Sequence, residues 1–273
     1  MQGRVFDRIE SLKMVATKAE LRLIEGLKQI KKEDIIYMSI TELAGQLDVA
    51  EATLLRFCRK LDYRGFQDFK LSLSQEIGSE EHLSDIGITQ KIANDMTDAI
   101  NETCKQTDYD RCIEVAEKII KAKRVCAFGV SNSAIAPLMF KNRLSKAGIF
   151  VENTTDTHQQ TIIASNLTAE DVVMLVSVSG ATKDILTLAE IAKKNGTLVV
   201  VLTNYDKSPL AKYADYAFFN FRKEAAYVGG SLATVVAQSY IVDMICTAVF
   251  ECLGEESSLR SMKASMAVSD KSI

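Results

Sequence analysis

The sequence predicts two folds in one chain: an all-α front portion, then an α/β doubly wound portion built on a five-stranded parallel sheet. Three observations carry this. From Val5 to Ile77 the apolar residues recur at helical spacing, with no convincing strand. After Lys123, short apolar runs alternate with helical stretches, the pattern of βα units. One run, Val172-Val173-Met174-Leu175-Val176, is continuously apolar, as a strand buried on both faces must be. It stops at Ser177-Val178-Ser179-Gly180-Ala181-Thr182, a cluster of hydroxyls around one glycine.

In the front portion, residues 1–77, Leu21, Ile24, Leu27 and Ile30 make one face of a helix. Residues 35–38 form a short connection. Residues 78–107 read as a linker whose first part is polar and acidic and whose second part is a helix carrying Ile92, Met96, Ala99 and Ile100. The α/β portion spans 108–254. After a helix near 113–120, strands are expected at 124–128, 149–151, 172–176, 197–202 and 216–219. Helical segments are expected near 133–147, 159–165, 184–194, 209–213 and 231–252, and residues 255–273 as a polar tail.

Bulk composition bounds the function classes. The 273 residues, 47% of them hydrophobic, suffice for a sizeable core. A net charge of −3 gives no global pull toward nucleic acid, although a local basic patch suffices for one. The six cysteines show no metal or Cys-x-x-Cys spacing and read as free thiols of a reducing cytosol, so the expected location is cytoplasmic. No signal-peptide core and no run of membrane-spanning length is expected.

Residues 41–59 carry the packing pattern of a helix-turn-helix. Leu43 and Leu47 line one face of a short helix, Ala44 permits a close crossing, Val49 buries the turn, and Leu54 and Phe57 seat a second helix. Glu51, Ala52, Leu55, Arg56 and Arg59 then point outward. Arg56, Arg59, Lys60, Arg64 and Lys70 form a basic cluster suited to phosphates, and Thr53 is placed for backbone or base edge. The expected DNA-contacting residues are Glu51, Thr53, Arg56, Arg59, Lys60 and Arg64. A small three-helix domain with a merely solvated charged face has the same composition.

In the α/β portion, ligands belong at strand carboxyl ends. Hydroxyls, a flexible glycine and a helix N-terminus suit a phosphate monoester, since backbone N–H groups and the helix dipole supply positive potential. A second loop, Gly129-Val130-Ser131-Asn132-Ser133, follows the first strand, with Pro137 in the first turn of the next helix. Serine clusters are ordinary turn residues too, but two such loops in one sheet point to a site. His158 follows the second strand and lies near the same mouth; His82 lies in the linker. Gly129-x-Ser131-x-x-Ala134 with Glu152 is an incomplete dinucleotide fingerprint, because Ser131 replaces the glycine that admits a pyrophosphate. No cofactor or metal is expected.

Ser39-Ile40-Thr41-Glu42-Leu43-Ala44, Ala52-Thr53-Leu54-Leu55-Arg56-Phe57-Cys58-Arg59-Lys60-Leu61 and Tyr63-Arg64-Gly65-Phe66-Gln67-Asp68-Phe69-Lys70 together resemble the N-terminal domain of RpiR-family transcriptional regulators. Two departures stand out: Asp48 where the turn usually has Gly, and Ala50 where the second helix usually has a Ser cap. Residues 108–252 resemble the sugar isomerase (SIS) domain, the partner domain in that family. The resemblance implies a phosphosugar held by Ser131, Ser133, Ser177, Ser179 and Thr182, with Ser131 at a position often filled by Gly. It implies operator DNA as partner, a homodimer or dimer of dimers, and a repressor of a sugar-utilisation operon. His158 and Asn132, which can serve a sugar hydroxyl or an N-acetyl amide, favour an amino-sugar or N-acyl hexosamine phosphate as effector, with a pentose phosphate as the alternative. The alternative is a phosphosugar isomerase, for which His158, Glu224 and Glu152 are the few acid–base candidates. The helix-turn-helix favours the regulator, with no catalytic residue and no membrane partner.

Overall fold

The computed structural model describes residues 5–36, 38–80, 88–220 and 232–269. The chain divides into two compact units, the first ending at Ala93 and the second starting at Asn94.

The first unit is helical: α1 (Val5–Ser11), α2 (Lys18–Gln29), α3 (Lys32–Ile35), α4 (Ile40–Gln46), α5 (Glu51–Lys60) and α6 (Phe66–Glu80). Two of these helices begin with reciprocal capping boxes, Thr17 with Glu20 on α2 and Ser39 with Glu42 on α4. Each satisfies backbone N–H groups that a helix start otherwise leaves open. Ile9, Leu23, Ile24, Leu27, Leu43, Leu54, Phe57, Phe69 and Leu73 form one core. Leu23, Ile24 and Leu27 supply the buried face of α2, whereas Leu21 is only half-buried. Tyr63 packs edge-on against Phe69 and Phe66 stacks on it.

α7 (Ile88–Gln106) leads into the second unit, which holds α8 (Tyr109–Lys121), β1 (Val125–Gly129), α9 (Ile135–Lys146), β2 (Val151–Glu152), α10 (Thr157–Ser165), β3 (Val172–Val176), α11 (Lys183–Lys194), β4 (Leu198–Thr203), β5 (Tyr216–Phe219), α12 (Leu232–Leu253) and α13 (Glu255–Ser269). The sheet has the order β2-β1-β3-β4-β5, with every pairing parallel. Side chains alternate across it. Ala127, Met174, Val176, Val200, Leu202 and Phe218 face a core shared with α8, α9 and α12. Cys126, Phe128, Val173, Leu175, Val199 and Val201 face a core shared with α10 and α11. This is the α/β doubly wound architecture the apolar runs predicted.

At the amino edge of the sheet, Arg124 binds Asp171 through two hydrogen bonds, Nε to Oδ1 at 3.2 Å and Nη2 to Oδ2 at 2.7 Å. Burial pushes the Asp171 carboxyl up; Arg124 and the N–H and hydroxyl of Thr168 outweigh this and hold it below the usual carboxylate range.

Three expectations need correction. The second strand pairs only at Val151 and Glu152, and Phe150 stands exposed beside it. The presumed polar tail contains the helix α13, whose Arg260 donates to the carbonyl of Ala147 at the end of α9. Finally, α12 is long and apolar enough to cross a membrane by length and composition. Its apolarity has a source in packing: Ile241, Val242, Ile245, Cys246, Ala248 and Val249 are fully buried in the core shared with α8 and α9.

The thiols of Cys58, Cys112, Cys126 and Cys246 are buried, which pushes each up to about 12. They are inert packing groups at neutral pH.

Candidate functional site

Each unit carries one candidate site. In the helical unit, α4 starts at its capping box and ends at the turn formed by Leu47, Asp48, Val49 and Ala50. Asp48 adopts φ 52°, the left-handed region that Gly usually occupies and that Asp tolerates. The Val49 N–H closes the turn on the Ala44 carbonyl at 2.9 Å. Ala50 then opens α5 without any side-chain cap. α5 buries Leu54, Phe57 and Cys58, which turns Glu51, Ala52, Arg56, Arg59 and Lys60 outward.

The outward groups differ in how committed they are. Arg56 and Arg59 are exposed, and Arg56 reaches back to the hydroxyl of half-buried Thr53 at 3.4 Å. Arg64 is exposed over 91% of its side chain, and its guanidinium makes a long contact, 3.4 Å, with Asp68, whose other carboxylate oxygen accepts the Arg64 N–H at 2.9 Å. Glu51 accepts the Thr41 hydroxyl at 2.7 Å, which ties the first turns of α4 and α5 together. Lys60 donates to both carboxylate oxygens of Glu20 on α2 at 2.9 Å, and that ammonium, with the Thr17 N–H, holds the Glu20 carboxyl below its usual range. Two expectations fail here. Lys70 is not part of an open basic cluster: it is buried and donates to the Met38 carbonyl at 2.9 Å. Leu55 does not point freely outward: it is half-buried and packs on the core.

The second site lies at the carboxyl ends of β1 and β3. Sheet order places the switch point there, since α9 leaves β1 on one face and α11 leaves β3 on the other. The register pairs Gly129 with Val176, so Val130 and Ser177 leave the sheet at the same level, side by side. The first loop runs through a 3-10 turn, Ser131–Ala134, and Ser131 holds φ 56°. An added Cβ on Gly129 would lie 2.1 Å from the Ser133 carbonyl oxygen, so only Gly permits this fold-back. Ser131 is exposed and Ser133 half-exposed.

In the second loop, Ser177 is almost fully buried, and its hydroxyl meets that of Thr182 at 2.9 Å. Thr182 occupies the N-cap of α11 but does not cap it, which leaves the start of this helix open to an anion. Ser179 accepts the Ala181 N–H at 3.2 Å. Gly180 sits at φ 58°, and a Cβ there would strike the Ser208 hydroxyl at 2.3 Å. Behind the loop, Thr203 donates to the Val178 carbonyl, Asn204 N–H bonds the same carbonyl, and Leu210 N–H bonds that of Gly180. The loop is thus braced from beneath by a buried polar layer.

α10 forms the remaining wall. Asp156 caps it, and His158 is exposed in its first turn. Two residues on, Gln160 is fully buried and donates to the carbonyls of Gly129 and Thr154 at 3.1 and 2.8 Å. Sequence reading missed Gln160, Asn153, Thr203 and Ser208. Gln160 left one signal: it shares a helix face with Ala164, where an apolar residue belongs. Glu152 ends β2 with its side chain exposed. Glu224 and His82 lie outside the described residues. A separate cleft of about 860 Å³ opens at the opposite edge of the sheet, lined by Arg111, Glu114, Lys193, Thr197, Asp215 and Tyr216. None of the hydroxyl loops reaches it.

Comparison with known proteins joins these sites. Residues 3–80 match the helix-turn-helix domain of the rpiR family and residues 118–248 match the SIS domain. An uncharacterised HTH-type transcriptional regulator of Clostridium perfringens is 31% identical over 275 residues, covering 97% of this chain and 98% of the relative. Among solved structures, the NanR protein of Vibrio vulnificus, complexed with ManNAc-6P, superposes with a TM-score of 0.85 at 26% identity, over 97% of this chain and 98% of that one. The sugar isomerase domain of an RpiR transcription factor from Sphaerobacter thermophilus shares the fold, with a TM-score of 0.60 at 22% identity, over 66% of this chain and 98% of that one.

Proposed function

Because this chain belongs to the RpiR family of helix-turn-helix transcriptional regulators, with a SIS domain behind its DNA-binding domain, we propose that it represses a sugar-utilisation operon and releases it when an amino-sugar phosphate binds the SIS domain. One observation carries the reading: the Gly129–Val176 register brings two hydroxyl-bearing loops out of the sheet side by side, over the open N-terminus of α11. Ser131, Ser133, Ser179 and Thr182 hold the phosphate, and Ser177 backs Thr182 from beneath. His158, in the first turn of α10, reads the sugar or its acyl group, in line with the ManNAc-6P bound by NanR. Glu51, Thr53, Arg56, Arg59, Lys60 and Arg64 face operator DNA. The protein acts in the cytoplasm as a homodimer, or a dimer of dimers, on a roughly palindromic site. The effector changes DNA affinity only by preferring one of two arrangements of that assembly.

The test is a gel-shift titration of operator fragments with ManNAc-6P and a panel of other sugar phosphates. Wild-type protein releases DNA with amino-sugar phosphate. Ser179→Ala keeps DNA affinity and loses the response; Arg56→Ala weakens DNA binding about 10- to 100-fold and keeps effector binding. An operator complex indifferent to every phosphosugar sinks the sensor. Isomerisation of aldose and ketose phosphates by the wild type, lost in Glu224→Gln, would favour the enzyme instead.

A further inference from the structure

β2 is too short to cover its neighbour. It pairs Val151 with Val125 and Glu152 with Cys126, and then stops. β1 runs three residues further, to Gly129. A parallel partner would have received the carbonyls that β1 turns toward that edge beyond Cys126. Two side-chain amides stand in for it. Asn153 Nδ2 donates to the Ala127 carbonyl at 2.7 Å, and Gln160 Nε2 donates to the Gly129 carbonyl at 3.1 Å. Ala127 and Gly129 are two residues apart, so their carbonyls point to the same edge, as a ladder demands. Gln160 also holds the Thr154 carbonyl at 2.8 Å, in the connection leading to α10.

Gln160 is fully buried on the inner face of α10, one turn before Ala164 in the apolar core. Its Oε1 is buried and meets no donor among the described residues, a desolvation cost that nothing there offsets. An apolar residue would avoid that cost but leave the Gly129 carbonyl unpaired. The amide therefore serves one end of the helix at the expense of its own oxygen. That end carries His158, and Gly129 is the last residue before the first hydroxyl loop.

We propose that Gln160 is a positioning residue for the sugar: it fixes the separation between the first loop, with Ser131 and Ser133, and the His158 turn of α10. This rests on the phosphosugar reading above. Both loops contact the phosphate, but the Ser177–Thr182 half of that grip is braced independently of Gln160, by Thr203 at the end of β4 and by Asn204 and Leu210 beyond it. Removing the Gln160 donors therefore weakens recognition of the sugar more than recognition of phosphate.

The experiment compares calorimetric affinities of full-length wild type and Gln160→Met, which keeps length and bulk but not the donors. The probes are ManNAc-6P and inorganic phosphate. The expected result is a loss of ten-fold or more for ManNAc-6P, a change under three-fold for phosphate, and operator affinity without effector within two-fold. Equal losses for both probes mean a general collapse of the site and overturn the proposal, as does wild-type affinity for ManNAc-6P in the variant. If Gln160→Met does not fold, Gln160→Glu, which sets a carboxylate against the two carbonyls, carries the same comparison. Wild type that binds neither probe overturns the functional reading and this inference together; an intact wild-type response with an indifferent Gln160 overturns the inference alone.

Discussion

The two candidate sites use opposite materials. The helical unit presents charge: Arg56 and Arg59 on α5 and Arg64 in the turn before α6 stand in solvent, their side chains making long or no polar contacts among the described residues. The α/β unit presents geometry: neutral hydroxyls, left-handed residues and a helix N-terminus, all braced by buried amides and a polar layer. Charge works at a distance and tolerates loose placement, as suits a surface that must search DNA. Neutral donors work only in contact, so the ligand site carries far more scaffolding per functional group. The difference teaches where each site is vulnerable: the first to its medium, the second to its backbone.

That contrast can be broken in three ways. The largest effect is that of salt. In the proposed dimer, three exposed arginines from each chain give about six phosphate contacts, so operator affinity falls on the order of 10³-fold between 50 and 200 mM salt. Effector affinity over the same range changes by less than about three-fold, since hydroxyls and backbone N–H groups bear no counterions. Parallel anisotropy and calorimetry titrations check this; matching slopes would erase the distinction. Next is the backbone. Gly129→Ala places a Cβ 2.1 Å from the Ser133 carbonyl oxygen and forces the loop away, costs about 3 kcal/mol of stability and abolishes effector binding, while operator affinity stays near wild type. Denaturation and gel-shift measurements on the same protein read both. The smallest effect sharpens the other side. Ala50→Ser supplies the cap that α5 lacks, and should stabilise the protein by about 1 kcal/mol without altering effector affinity. A melting point unmoved by that change would mean the α5 N-terminus finds its partners elsewhere.

Much of this was legible in sequence where one force dominates. The strands at 172–176 and 216–219 come out at their expected limits, because their ends coincide with an abrupt change from apolar to polar chemistry. The Asp48 turn was legible because few residues accept its backbone. Phe150 misled, since an aromatic beside Ile149 and Val151 reads as strand although the pairing ends one residue away. Lys70 misled because a charged residue reads as surface, whereas its long stem lies buried and its ammonium meets the Met38 carbonyl. Lys60 was legible as a cation but not as the partner of Glu20, forty residues away. The hydroxyl loops were legible as motifs. The amides that brace the first loop were not, because their need arises from the shortness of β2, a property of pairing rather than of composition.

The order β2-β1-β3-β4-β5 puts β3 in the middle of the sheet, and every one of its residues is buried. The hydroxyl loop is thus spliced to the strand whose amides open last, through near-global unfolding rather than local fraying. A ligand held there would slow hydrogen exchange throughout the sheet, not only at its own contacts. Occupancy would be broadcast as rigidity, and a hydrogen-exchange map would show the effector's footprint as an entire domain.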